Sequence, residues 1–158
     1  MMTDEEYFDR IEPVRKKLYR IAWSYLGSES MAIDTVDEAV FQGYMKRKQL
    51  KNEKNLETWL VRVLINACND ELRRRKREDV VEELPEGASI DEYDQLPLKM
   101  AIEKLPKQLR QPVLLKYFGD YTTVQIAELL MLPQGTVASR LRRALELLRL
   151  ELQEVKEG

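Results

Sequence analysis

Apolar residues recur every three or four positions along most of this chain, with charged residues filling the intervening faces. That spacing places one apolar stripe on a helix surface. It predicts helices over about 5–26, 29–48 and 55–77, and again over about 95–104, 107–118, 122–131 and 134–153. No strand-like alternation is sustained anywhere, so the expected fold class is all-α. Local signals set the ends. Gly27 should end the first helix, and Ser28 or Ser30 should cap the second. Asn55 should cap the third, with Glu57 and Thr58 in its first turn. Thr122 or Thr123 should cap the sixth. Pro133 should break it from the last, which opens at Gln134-Gly135-Thr136.

Charge divides the chain. Arg73-Arg74-Arg75-Lys76-Arg77 is followed, from Glu78 to Gln95, by eight acidic residues and no basic one, together with Pro85, Gly87 and Ser89. Such a stretch has too little apolar surface to form a core. The expected organisation is an N-terminal helical domain at 1–78, an acidic flexible linker at 79–95 and a C-terminal helical domain at 96–158.

Three local patterns carry candidate chemistry. In the C-terminal domain Ile126, Ala127, Leu130, Leu132, Val137 and Leu141 should pack two helices across a tight turn. The far side of the second helix then offers Gln134, Thr136, Ala138, Ser139, Arg142 and Arg143. A helix-turn-helix of this kind places a cationic rod in the DNA major groove, where arginine can bond guanine edges or phosphates. Lys116, on a preceding helix, would contact phosphate. A helical hairpin with a merely solvated basic face is the plainer alternative. Met131 stands where many such turns use glycine for a positive φ, so the turn must carry strain or take another geometry.

The second pattern lies in the third helix. Trp59, Leu60, Val61, Val63, Leu64, Ile65, Ala67 and Cys68 cover most of its circumference, which predicts burial. Arg62, Asn66, Asn69 and Arg73 form one narrow polar stripe at spacings of four, three and four. Asparagine gains little in mid-helix unless its amide is used, although a stripe facing only water fits the same pattern. The third pattern is acidic. Asp34, Asp37 and Glu38 share a face of the second helix with Gln42 one turn on, while Val36, Ala39, Val40 and Tyr44 can face the core. A basic partner helix or plain solvent would suit that face.

Composition narrows the functional classes. The net charge of -2 excludes a general cationic coat but leaves room for local basic patches. There is no histidine and a single cysteine, so the usual zinc ligands and an internal disulfide are both missing. No phosphate-binding glycine loop is present. The longest apolar run, Trp59 to Cys68, is too short to cross a membrane and contains Arg62 and Asn66. The chain is therefore expected to be a non-enzyme without cofactor or metal, cytoplasmic and without membrane insertion.

Taken together, Gln125-Ile126-Ala127-Glu128-Leu129-Leu130, Pro133-Gln134-Gly135-Thr136-Val137 and Ser139-Arg140-Leu141-Arg142-Arg143-Ala144 resemble the end of a bacterial extracytoplasmic-function (ECF) sigma factor. Thr58-Trp59-Leu60-Val61-Arg62, Asn66 and Asp70-Glu71-Leu72-Arg73-Arg74 extend the resemblance to the first domain. It implies a subunit that binds core RNA polymerase and directs promoter-specific initiation, in a stress or envelope response. Asp34, Asp37, Glu38 and Gln42 would meet the polymerase clamp. Arg62, Asn66, Asn69, Arg73 and the segment Gln49 to Thr58 would read and open the minus-ten element. Lys116, Gln134, Thr136, Ser139, Arg142 and Arg143 would serve the minus-thirty-five element. An anti-sigma factor is a further implied partner. Four positions depart from the family pattern. Asp37 replaces Gln, and Ala138 replaces Lys or Arg. Gly43 replaces Ala, at about 1 kcal/mol if exposed. Pro112 predicts a late start or a kink in its helix.

Two rival classes remain on the sequence alone. An autonomous helix-turn-helix regulator would leave the Asn66 stripe idle, and no heptad run supplies the dimer such regulators use. A protein-interaction module would use the charged faces without DNA. Co-purification with polymerase subunits separates all three.

Overall fold

The computed structural model describes residues 2–78 and 96–157, and every regular element among them is helical. The chain divides into two compact units, Met1–Glu82 and Glu83–Gly158. The expected linker at 79–95 lies outside the described residues.

The first unit contains α1 (Asp4–Ile11), α2 (Arg15–Leu26), α3 (Glu29–Met45) and α4 (Leu56–Glu78). The expected single helix over 5–26 is two. Pro13 lacks the N–H that a continuous ladder needs, and the chain makes a 3-10 turn at Glu12–Val14. A reciprocal cap starts α1: Thr3 Oγ1 accepts from the Glu6 N–H, and the Thr3 N–H donates to the Glu6 carboxylate. Gly27 ends α2 at φ 68°, where a side chain would be strained, and Ser28, not Ser30, caps α3. α3 stops at Met45, ahead of a 3-10 turn at Arg47–Gln49. Asn55 lies inside a second such turn, Glu53–Asn55, whose side-chain cap is Asn52.

α2, α3 and α4 each pack on the other two, and α1 lies on α3. Leu18, Ile21, Val36, Ala39, Leu60, Val61, Leu64 and Cys68 fill the centre. Full burial of each large aliphatic side chain contributes roughly 1.5–3 kcal/mol. Burial also pushes the Cys68 thiol up to about 12, with the Glu71 carboxylate adding to the effect.

Gly43 corrects the sequence reading. It is buried, and a Cβ there would stand 2.6 Å from the Tyr7 hydroxyl and 2.9 Å from Leu60 Cδ1. Tyr7 is itself fully buried and donates its hydroxyl to the Val40 carbonyl at 2.7 Å. The glycine therefore makes room for the bond that fastens α1 to α3. Burial raises the Tyr7 phenol to about 12, which keeps that proton in place.

In the second unit α5 (Leu96–Lys104), α6 (Lys107–Tyr117) and α7 (Thr123–Leu130) all pack against α8 (Gln134–Glu157). Ile102, Leu105, Val113, Leu114, Leu115, Ile126, Val137, Leu141 and Ala144 form its core. α6 neither starts late nor breaks: it runs from Lys107 through buried Pro112 to Tyr117. The carbonyl that Pro112 leaves unbonded belongs to Gln108, an exposed residue that solvent can reach.

Two expectations follow. Gly43→Ala should destabilise the first unit by about 1–3 kcal/mol through overpacking, despite alanine's better helix propensity. In a Tyr7→Phe background its added cost should shrink, because the nearest clashing atom is gone; urea unfolding of the double-mutant cycle measures this. Cys68 should react with a thiol reagent at pH 8 only as fast as the unit opens, and stability should fall as pH rises from 9.0, where the unfolded thiol ionises, toward 12.

Candidate functional site

In the second unit, α7 begins with another reciprocal cap. Thr122 Oγ1 accepts from the Gln125 N–H at 3.2 Å, and the Thr122 N–H donates to Gln125 Oε1 at 2.9 Å. It ends at Met131, whose φ of 58° and ψ of 46° are left-handed. The Met131 N–H donates to Glu128 O at 3.3 Å and the Leu132 N–H to Ala127 O at 2.9 Å. This paired arrangement closes a helix on a left-handed residue, normally glycine. The turn thus has ordinary geometry and carries its strain in Met131. α8 then starts at Gln134, with the Thr136 and Val137 N–H groups both bonded to Pro133 O.

Ile126, Ala127, Val137 and Leu141 are buried between the two helices, while Leu130 and Leu132 are only half-buried. Leu129 and Ala144 join the buried set. On the outer face Gln134, Ser139, Arg142 and Arg143 are exposed, and Thr136 and Ala138 are half-covered. The Ser139 hydroxyl donates to Gly135 O at 2.8 Å, which commits its proton and leaves its oxygen as an acceptor. Arg143 pairs with Glu146 at 3.3 Å. Arg142 has no ion-pair partner among the described residues. Lys116 sits half-buried at the end of α6.

In the first unit the polar stripe of α4 is narrower than expected. Arg62 is half-buried, and Asn66 and Arg73 are exposed, but Asn69 is buried at 9 % exposure. Asn69 continues the inward row Val61–Ile65 at four-residue spacing, which removes it from the outer stripe. The basic run has several uses. Arg73 pairs with Asp70 and Arg74 with Glu71. Arg75 turns inward, donating to Leu26 O at 2.8 Å and reaching the Met31 sulfur. It satisfies a carbonyl at the end of α2, where a cation is favoured. Sequence reasoning missed this role, because one inward arginine looks like its neighbours.

The α3 acids are exposed as expected, but not isolated. Asp37 meets Arg15 at 3.5 Å, and Gln42 donates to Glu38 at 3.2 Å. Ile33, Phe41 and Met45 are exposed beside them, with Phe41 61 % open. These apolar residues at solvent-facing positions of the helical period were a legible signal that went unused. Glu38 and Gln42 also share an open cleft of about 610 Å³ with Val63, Asn66 and Ala67 of α4. Two surfaces assigned separately from sequence are therefore neighbours.

Known proteins match both units. The model of sigma-70 region 2 matches residues 11–78, and that of sigma-70 region 4 matches residues 95–148. SigV of Bacillus subtilis is 29 % identical over 143 residues, which span 87 % of this chain and 86 % of that protein. SigL of Mycobacterium tuberculosis, named as an ECF RNA polymerase sigma factor, is 30 % identical over 148 residues, covering 87 % and 84 %. Among solved structures, the sigma factor RpoE bound to the anti-sigma factor NepR from Bartonella quintana superposes with a TM-score of 0.75, at 23 % identity over 94 % of this chain and 98 % of that one. A two-unit helical chain whose second unit is a helix-turn-helix is the architecture of a promoter-specificity subunit. This chain belongs to the ECF group of sigma-70 factors. Its activity is promoter-specific transcription initiation with core RNA polymerase.

Met131→Gly should stabilise the second unit by about 1 kcal/mol, since glycine adopts this conformation freely and the lost side chain is 79 % exposed. Thermal melting and slower hydrogen exchange over residues 122–145 would report it; unchanged exchange would show that the turn stores no strain.

Proposed function

We propose that the first unit docks on polymerase and traps the opened minus-ten strand, while the second holds the minus-thirty-five duplex. Asp34, Asp37, Glu38 and Gln42 serve docking, joined by the exposed Ile33, Phe41 and Met45. Opposed charge steers the encounter, and apolar contact sustains it. Arg62, Asn66 and Arg73, with the segment Gln49 to Thr58, take up unpaired non-template bases. Holding unstacked bases stabilises the open state against re-pairing, so binding energy alone drives melting. Asn69 belongs to the support of that surface. Gln134, Thr136, Ser139, Arg142 and Arg143 face the upstream major groove, with Lys116 on phosphate. Lys or Arg is usual at the position of Ala138, so one contact there is given up.

The observation that carries this reading is Asn66: an exposed amide in the middle of a helix whose other face is core, opening on the same cleft as Glu38 and Gln42. The protein acts by binding, not catalysis, and works in the cytoplasm; no helix among the described residues is long and apolar enough to cross a membrane. An anti-sigma factor would act by covering these same faces, and the regulated genes would answer stress or envelope damage.

Asn66 and Asn69 now predict different outcomes. Asn66→Ala should change stability by less than about 0.5 kcal/mol, keep polymerase co-elution and reduce open complexes seen by permanganate footprinting. Asn69→Ala should instead cost about 1 kcal/mol of stability. Normal promoter melting by Asn66→Ala would remove the stripe from the reading surface.

A further inference from the structure

The connection between α3 and α4, residues 46–55, contains two short 3-10 turns and little else of its own. Its internal bonds among the described residues are short-range: the Gln49 N–H to Lys46 O at 2.9 Å, the Leu50 N–H to Arg47 O at 3.2 Å, the Lys54 N–H to Asn52 Oδ1 at 3.0 Å and the Asn55 N–H to Asn52 O at 3.0 Å. Chain with so few internal bonds is costly to hold in one conformation. Three ion pairs fasten it to the rest of the unit. At its start Arg47 reaches the Asp4 carboxylate at 2.7 Å and Met2 O at 3.3 Å, stacked 4.2 Å over the Tyr44 ring. In its second turn Glu53 meets Arg10 of α1 at 3.5 Å. Where it enters α4, Glu57 meets Lys17 of α2 at 2.9 Å. Between these points Lys51, Asn52, Lys54 and Asn55 are exposed.

We propose that Arg10, Lys17 and Arg47 are positioning residues that hold this connection in the conformation that reads unpaired minus-ten bases. The proposal rests on the reading role given above to the segment Gln49 to Thr58. The anchors act in two ways. They tie the segment to α1 and α2, the scaffold that Tyr7 and Gly43 lock to α3. Arg10 and Lys17 also neutralise Glu53 and Glu57, which would otherwise repel a phosphate backbone approaching Lys51 and Lys54 beside them. Each pair is partly exposed and weak alone, so the effect depends on all three being anchored to one rigid body.

The test uses the full chain in two assays. Hydrogen exchange of free protein reports order in the segment 49–58, and run-off transcription with core polymerase compares an intact minus-ten template with substituted ones. Arg10→Glu and Glu53→Arg should each speed exchange in 49–58 several-fold, leave exchange in the α2–α4 core unchanged and lower template preference several-fold. The exchanged pair, Arg10→Glu with Glu53→Arg, should restore both. Unchanged exchange in the single variants overturns the proposal, as does faster exchange with preference intact. Lys51→Ala and Asn55→Ala separate it from the reading beneath. If these exposed changes leave preference untouched, the segment does not read DNA and the proposal falls with that assignment. If they alter preference and Arg10→Glu does not, only the positioning role falls.

Discussion

Everything in the first unit depends on α4 being core and surface at once. Leu60, Val61, Leu64, Ile65 and Cys68 must be buried against α2 and α3, or the unit has no interior. That commitment fixes the helix in rotation and leaves the face of Val63, Asn66, Ala67, Asp70 and Arg73 for outside contact. Asn66 can face outward because its neighbours face inward, and its direction is set by their packing. The same burial sets α3 beside it, so that Glu38, Gln42 and Asn66 open on one cleft. The faces proposed for docking and base capture thereby share a single apolar core.

The polar positions of both units are largely paired in the free chain. Asp37 rests on Arg15, Arg73 on Asp70, Arg74 on Glu71 and Arg143 on Glu146. Exposed pairs of this kind contribute about 0.2–1 kcal/mol. Exchanging one for a phosphate or a partner's side chain therefore costs little, and the chain can keep a net charge near zero while carrying strong local fields. Arg75 differs because it satisfies a backbone carbonyl in a half-buried setting, and replacing it would orphan that group.

The helical class, the split into two units and the helix-turn-helix were legible in the sequence because they rest on local periodicity and on caps such as Ser28 and Thr122. Met131 was legible as an oddity, since the αL position follows from the turn pattern alone. Other features depended on contacts distant in sequence. Gly43 looked like a weak point in a helix until Tyr7, thirty-six residues earlier, was seen to occupy its missing side chain's place. Asn69 looked like part of a stripe because spacings of three and four both fit one face; only the neighbouring helices decide which edge is covered. Pro13 was a local signal that the long apolar periodicity outweighed. The outer face of α8 was legible as residue types and directions, while the pairing of Arg143 and the openness of Arg142 required the fold.

In the second unit, three helices rest on the inner side of α8 and none of them depends on its outer side. Val137, Leu141, Ala144 and Leu148 are buried in the unit's core, while Gln134, Ser139, Arg142 and Arg143 are exposed and take no part in it. The two alphabets are interleaved on one rod but mutate independently. A lineage can rewrite the outer letters, the face proposed to read the promoter, without ever passing through an unfolded ancestor. The same separation lets a handful of side chains on α8 be exchanged on an unchanged scaffold.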